Sequence, residues 1–193
     1  MTEKHGHMHH GKSSKGLLGA DEVLKATGIK KDDKFLDAGC GDGYISIEAS
    51  SIVGEEGNVY ALDVYPESIK TVLNEINAKN IDNMVAVVAD ITEEIPLDNE
   101  SVDIALMANV LHGFVAGNEV DPVIKNIWKV LKLGGIFAVI EFRKVESNRG
   151  PPFNVRISPK EVSEILKKYG FDILDSQEIG EYHYIVKAVK NLE

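Results

Sequence analysis

The sequence predicts an α/β fold: a doubly wound, mostly parallel seven-stranded sheet that finishes in a C-terminal antiparallel hairpin. Three observations predict it. Short β-branched runs alternate with stretches of helical apolar spacing. The first five runs are almost continuously apolar, as strands covered on both faces are. The last two runs are joined through Gly180 with too little chain for a helical crossover, so they must pair antiparallel.

A helical pattern near residues 20 to 28 precedes the first apolar run at 34 to 38. Strand runs follow at 58 to 63, 84 to 89, 102 to 107 and 135 to 142, with helical patterns at 43 to 53, 66 to 79 and 119 to 131. Regular strand–helix–strand alternation implies parallel pairing through right-handed crossovers. Gly134 and Gly135 are expected to close the helix that ends in Val130 and Leu131. Ser158 followed by Pro159 reads as an N-cap with proline in the first helical position, opening a helix over 159 to 169. The runs at 171 to 179 and 182 to 190 form the hairpin.

The 193 residues suit one domain, over residues 17 to 193. Residues 1 to 16 stand apart as an arm: His5, His7, His9 and His10 lie there with almost no apolar side chains. A lid, a labile site for a soft divalent metal and an end without a role all fit that arm, and no metal site is assigned. With 44% hydrophobic and 27% charged residues the chain builds a core and reads as a soluble globule. A net charge of -10 argues against nucleic acid. One cysteine makes neither an internal disulfide nor a thiolate cage. There is no signal-peptide pattern, and nothing approaches the roughly 20 apolar residues of a membrane span. The expectation is a cytoplasmic protein, of an oligomeric state the sequence leaves open.

The segment FLDAGCGDGY, residues 35 to 44, sets Gly39, Gly41 and Gly43 between the first strand and its helix. Glycines there let backbone approach a ligand and aim N–H groups at it. A dinucleotide turn of the G-x-G-x-x-G type needs a third glycine where Tyr44 stands, and it holds a pyrophosphate. Asp37 and Asp42 flank this turn with no basic residue inside it, and a carboxylate at contact distance from a phosphate costs on the order of 1 to 4 kcal/mol. A ligand without phosphates fits better. S-adenosylmethionine is one, with a positive sulfonium, an ammonium for acidic partners and a carboxylate for backbone N–H groups.

The D-x-G-x-G-x-G pattern of Asp37, Gly39, Gly41 and Gly43 resembles the first motif of the class I S-adenosylmethionine-dependent methyltransferases, and the resemblance extends over about residues 20 to 190. It implies the Rossmann-like methyltransferase fold, S-adenosylmethionine as methyl donor and S-adenosylhomocysteine as product. By the same resemblance Asp63, ending VYALD and followed by Val64, accepts from the ribose hydroxyls, and Asp90, after VAVVA, meets the adenine amino group together with the Ile91 backbone N–H. Cys40, Tyr44 and Asn109 complete the expected cofactor side. Other readings stay open: Asp63 and Asp90 as loop caps, Cys40 as packing residue or nucleophile, Tyr44 as core or as cover of the methionyl end. VDIALMANVLHG resembles the fourth strand and its exit, and LKLGGIFAVIEF the fifth.

Ligands of open α/β sheets sit beyond the carboxyl ends of the strands, which brings forward His112 and Glu141 on the acceptor side. His112 is either a base for the acceptor proton or a structural histidine; Glu141 either binds acceptor or solvates the strand end. Arg143, Arg149 and Arg156, with Lys144 and the Pro151–Pro152 pair, follow the fifth strand, and arginine forks suit carboxylates or phosphates. They suggest an acidic or polar small-molecule acceptor, against the alternative of a solvated, salt-bridged loop. The resemblance is to the compact small-molecule group that includes quinone-biosynthesis C-methyltransferases. The fourth-strand exit lacks the N/D-P-P-Y/F motif of base-modifying members, and a single cysteine does not suit arsenite methylation. Two other functions compete: an NAD(P)-dependent oxidoreductase, disfavoured by the acidic turn and the missing tyrosine–lysine pair, and a non-catalytic cofactor-binding protein.

Overall fold

A computed structural model describes residues 15 to 191; the arm expected at 1 to 16 falls almost wholly outside the described residues. The elements run α1 (Ala20–Thr27), β1 (Lys34–Ala38), α2 (Tyr44–Val53), β2 (Asn58–Asp63), α3 (Pro66–Lys79), β3 (Met84–Val88), β4 (Val102–Ala108), α4 (Leu111–Gly117), α5 (Val120–Val130), β5 (Leu131–Phe142), a 3-10 turn (Phe153–Val155), α6 (Pro159–Lys168), β6 (Phe171–Ile179) and β7 (His183–Lys190). The sheet order is β3-β2-β1-β4-β5-β7-β6, and β7 alone runs against its neighbours. The doubly wound sheet with its closing hairpin is as expected.

The continuous apolar runs have a direct cause. Successive strand side chains point to opposite faces, and both faces are covered. Leu36, Ala105, Met107, Phe137 and Val139 face one core with α4, α5 and α6, whereas Phe35, Ile104, Leu106, Ala138 and Ile140 face the other with α1, α2 and α3. Burying each of the larger side chains stabilises the fold by about 1.5–3 kcal/mol. Ser158 caps α6 as predicted: its hydroxyl accepts from the Glu161 N–H at 3.3 Å and the Glu161 carboxylate accepts from the Ser158 N–H at 2.8 Å. The Ser158 hydroxyl and N–H hold the Glu161 carboxyl down at about 2.

Two sequence expectations fail locally. Gly134 and Gly135 do not close a helix. α5 stops at Val130, Leu131 is already extended, and the glycines lie inside β5. Val102 pairs with Leu131 and Ile104 with Ile136, so residues 132 to 135 bulge opposite Asp103 alone. A Cβ on Gly135 would stand 2.8 Å from the Lys132 carbonyl oxygen, which is why glycine occupies that bulge. The second miss is α4. Its sequence, LHGFVAG, carries two glycines, and seven residues are too few for periodicity to reveal.

Strand order reverses between β1 and β4, which are neighbours although distant in sequence. At that switch the connections leave to opposite faces, and a crevice opens beyond the strand ends. No described helix is long and apolar enough to cross a membrane.

Candidate active site

A cavity of about 620 Å³ fills that crevice. Asp37, Gly39, Cys40, Gly41, Tyr44, Asp63, Val64, Asp90, Ile91, Asn109 and His112 all line it; Gly43 and Glu141 stand behind its wall. The turn after β1 is shaped by glycine at two points. Gly39 has φ +91° and a Cβ there would lie 2.6 Å from Val110 Cγ2; Gly43 has φ +77° and a Cβ would lie 2.8 Å from Val72 Cγ2. The turn does not offer a row of amides as anticipated. Gly39 and Cys40 both donate to the Leu62 carbonyl at 2.8 and 2.9 Å, Gly41 donates to Asp63 Oδ2 at 2.8 Å, Gly43 to the Cys40 carbonyl and Tyr44 to Asp42 Oδ1. The turn folds down on the end of β2, so the glycines supply closeness of approach rather than donors.

Carboxylates dominate this side. Asp37 is 2% exposed and accepts from the Ser46 hydroxyl at 2.6 Å. Burial pushes its carboxyl up to about 7, and repulsion from Asp63 and Asp42 adds to the rise. A cation placed among the three would reverse that, so the arrangement is built for positive charge. Asp63 accepts from Gly41 and, through Oδ1, from the Tyr65 N–H at 2.9 Å; its two oxygens retain lone pairs for two further donors. Asp90 Oδ1 accepts from the Thr92 N–H and hydroxyl at 3.0 and 2.6 Å, a loop cap in which Oδ2 takes no part. Capping and ligand binding are therefore compatible in both residues. Burial, with Asp37 and Asp63 nearby, drives the Cys40 thiol far up, the opposite of the direction a nucleophilic thiolate needs. The Tyr44 hydroxyl accepts from the Ala20 N–H at 3.3 Å while the side chain lines the cavity.

Asn109 follows β4 in a left-handed conformation, φ +62°, with its N–H on the Ile140 carbonyl. Its Oδ1 is buried without a hydrogen-bond partner among the described residues. A buried orphan oxygen costs about 1–3 kcal/mol, which a donor on a bound molecule would offset. With the acids this fits the ammonium, sulfonium and ribose hydroxyls of S-adenosylmethionine.

One turn further, His112 Nδ1 lies 2.8 Å from Glu141 Oε2, and the His112 N–H donates to Glu141 Oε1 at 3.0 Å. Both are buried, at 5% and 1% exposure, so Glu141 does not solvate a strand end. It fastens the start of α4 and the imidazole together. Of the three arginines only Arg149 lines the cavity. Arg143 pairs with Glu178 at 3.0 Å on the surface, and Arg156 is buried with its fork turned into its own loop. Sequence reasoning also missed Leu17, Phe142 and Asn148 on the wall; the Gly150-Pro151-Pro152 run beyond a strand's carboxyl end was the available signal.

A family model described as a methyltransferase domain matches residues 29–188. The chain belongs to that methyltransferase domain family. A structure of an S-adenosylmethionine-dependent methyltransferase from Aquifex aeolicus is similar, with 30% identity and a TM-score of 0.82 over 90% of each chain. The [4+2]-cyclase SpnF shares the fold at 18% identity, with a TM-score of 0.75 over 90% of this chain and 80% of that one. Among curated relatives, the ubiquinone/menaquinone biosynthesis C-methyltransferase UbiE of Pectobacterium carotovorum is 23% identical over 174 residues, covering 87% of this chain. The chain spans 63% of that relative's length. The methyltransferase domain thus carries the motif resemblance along nearly its whole described length, and the oxidoreductase alternative is not favoured.

Proposed function

We propose that this methyltransferase domain transfers the methyl group of S-adenosylmethionine, releasing S-adenosylhomocysteine, to a small acidic or polar acceptor. The observation that carries the reading is that one cavity holds acids on one side and an imidazole and a guanidinium on the other. Asp37, Asp42, Asp63 and Asp90 come from the β1, β2 and β3 ends, whereas His112 and Arg149 come from the β4 and β5 ends. The names of the curated relatives, concerned with small-molecule biosynthesis, support a small-molecule acceptor, and the acidic or polar character is inferred from Arg149 alone.

When bound, the cofactor supplies a methyl carbon already activated by its sulfonium leaving group, so alignment and proximity serve in place of a covalent enzyme intermediate. Asp63 would accept from the ribose hydroxyls, Asp90 and the Ile91 N–H would hold the adenine edge, and Val64 would pack beside them. Asp37, Asn109, Tyr44, Cys40 and the close backbone of Gly39 to Gly43 would hold the methionyl end. Glu141 accepts the Nδ1 proton of His112 in a hydrogen bond, which leaves Nε2 as the ring's basic atom. His112 takes the acceptor's proton there as the new bond forms, and Glu141 acts by positioning it. Arg149 offers its fork to an anionic group of the acceptor.

Incubation with labelled S-adenosylmethionine and a small-molecule cell extract, followed by mass spectrometry, tests the proposal. A labelled small product is expected. Absence of S-adenosylhomocysteine binding in calorimetry would overturn it.

A further inference from the structure

Arg156 is the most heavily bonded side chain in the molecule's described part, and methyl transfer as set out above gives it no role. It is 3% exposed. A guanidinium has five N–H donors, and all five are engaged. Nε donates to the Pro151 carbonyl at 2.8 Å; one terminal nitrogen donates to the carbonyls of Arg143 and Val145 at 3.1 and 2.6 Å; the other donates to the Ser147 hydroxyl at 3.0 Å and to the Arg149 carbonyl. The acceptors are residues 143, 145, 147, 149 and 151: every second residue of the loop turns inward toward one cation.

The outward side of the same loop is cavity wall. Asn148, Arg149, Gly150 and Pro151 line it, together with Phe142 at the end of β5. The guanidinium also sits 5.6 Å from the centre of the Phe142 ring, a cation–π contact that ties the loop to the strand. This segment has no strand or helix ladder between Phe142 and the 3-10 turn, and most of its residues are exposed. Its order therefore depends on few contacts, and five of them converge on one side chain.

We propose that Arg156 is the positioning residue of the acceptor wall: its guanidinium is the template around which residues 143 to 151 fold, and it fixes where Arg149 stands. This rests on the reading of the β4 and β5 side as the acceptor's. Arg156 touches no substrate; it acts through the loop. Lysine cannot replace it, because an ammonium has three donors on a point charge and cannot serve five acceptors.

The test compares wild type with Arg156→Lys and with Ser147→Ala, a milder change that removes one of the five acceptors without touching the cation. Trypsin cleavage at the Arg149–Gly150 bond reports on the loop directly. Expected are at least 10-fold faster cleavage in Arg156→Lys, a smaller increase in Ser147→Ala, and S-adenosylhomocysteine affinity within about 3-fold of wild type in both. In turnover assays fed with a small-molecule filtrate of cell extract, the half-saturating amount of filtrate should rise at least 10-fold in Arg156→Lys, with a smaller change in maximal rate. Unchanged cleavage at Arg149 in a folded Arg156→Lys protein would overturn the template. Faster cleavage with an equal fall in maximal rate and no shift in half-saturation would overturn the positioning role. If wild type turns over no filtrate component, the acceptor reading fails by itself, and the cleavage rates still decide the template.

Discussion

Replacing Glu141 with glutamine changes one oxygen to an amide nitrogen and isolates what the carboxylate does. Glu141 currently accepts twice, from the His112 N–H at 3.0 Å and from Nδ1 at 2.8 Å, with both residues buried. Glutamine has one acceptor atom. If its carbonyl keeps the backbone N–H, its amide faces Nδ1, which must then accept, and the ring proton moves to Nε2. A neutral hydrogen bond then replaces a charge-assisted one between buried partners, a loss of about 1–1.5 kcal/mol. For a chain of this size that lowers the melting temperature by roughly 2–6 °C. The catalytic effect is larger, because a ring protonated at Nε2 presents a donor where the acceptor's proton must leave, and general-base catalysis contributes about 100- to 10,000-fold. Nitrogen-15 NMR of labelled histidine reads the tautomer without any acceptor present, and turnover of the extract filtrate reads the rate. A Glu141→Gln protein with the proton still on Nδ1, full stability and an undiminished rate would refute the role given to the pair.

Asp63→Asn should weaken S-adenosylhomocysteine binding on the order of 100-fold by calorimetry, since it removes charge from a carboxylate that also holds the Gly41 amide; an unchanged affinity would remove Asp63 from the ribose site. Asp37 gives a pH dependence. Its folded carboxyl keeps a proton up to about 7, against 3.8 for the ordinary group, so the ligand-free fold binds more protons than the unfolded chain in that window and loses stability as pH rises through it. A cationic ligand favours the ionised form, so S-adenosylmethionine affinity should rise about 10-fold from pH 6 to pH 8 with proton release. Flat affinity across that range would contradict a charge contact. Gly39→Ala should destabilise by about 1–3 kcal/mol, because φ +91° strains an alanine and the new methyl meets Val110; thermal melts check this, and a neutral substitution would mean that the turn relaxes freely.

Much of the site was legible because its cofactor side is built from local sequence. A glycine turn after one strand, an acid at the end of the next and another after the third each sit within a few residues of an element that periodicity identifies. The arginines of the β5 loop show the limit. Composition marks all three as forks for an anion, yet Arg143 turns to Glu178, Arg156 turns into its own loop and Arg149 alone reaches the cavity. The helix α4 was missed for a related reason: its seven residues gain their helical form from packing of Leu111 and Phe114 and from the Glu141 carboxylate at its start.

By itself the sequence determined the succession of the strands and of the helices other than α4, the buried character of the sheet and the identity of the acids around the turn. Those follow from the alternation of side chains along a strand and from short-range turn chemistry. Only the tertiary structure decided that His112 meets Glu141 and that Arg156 gathers its loop. β4 and β5 lie side by side, so residues 29 apart in the chain share one pair of hydrogen bonds. The spacing of apolar residues states which face a side chain occupies, but the partner it finds there depends on how neighbouring strands and loops are brought together.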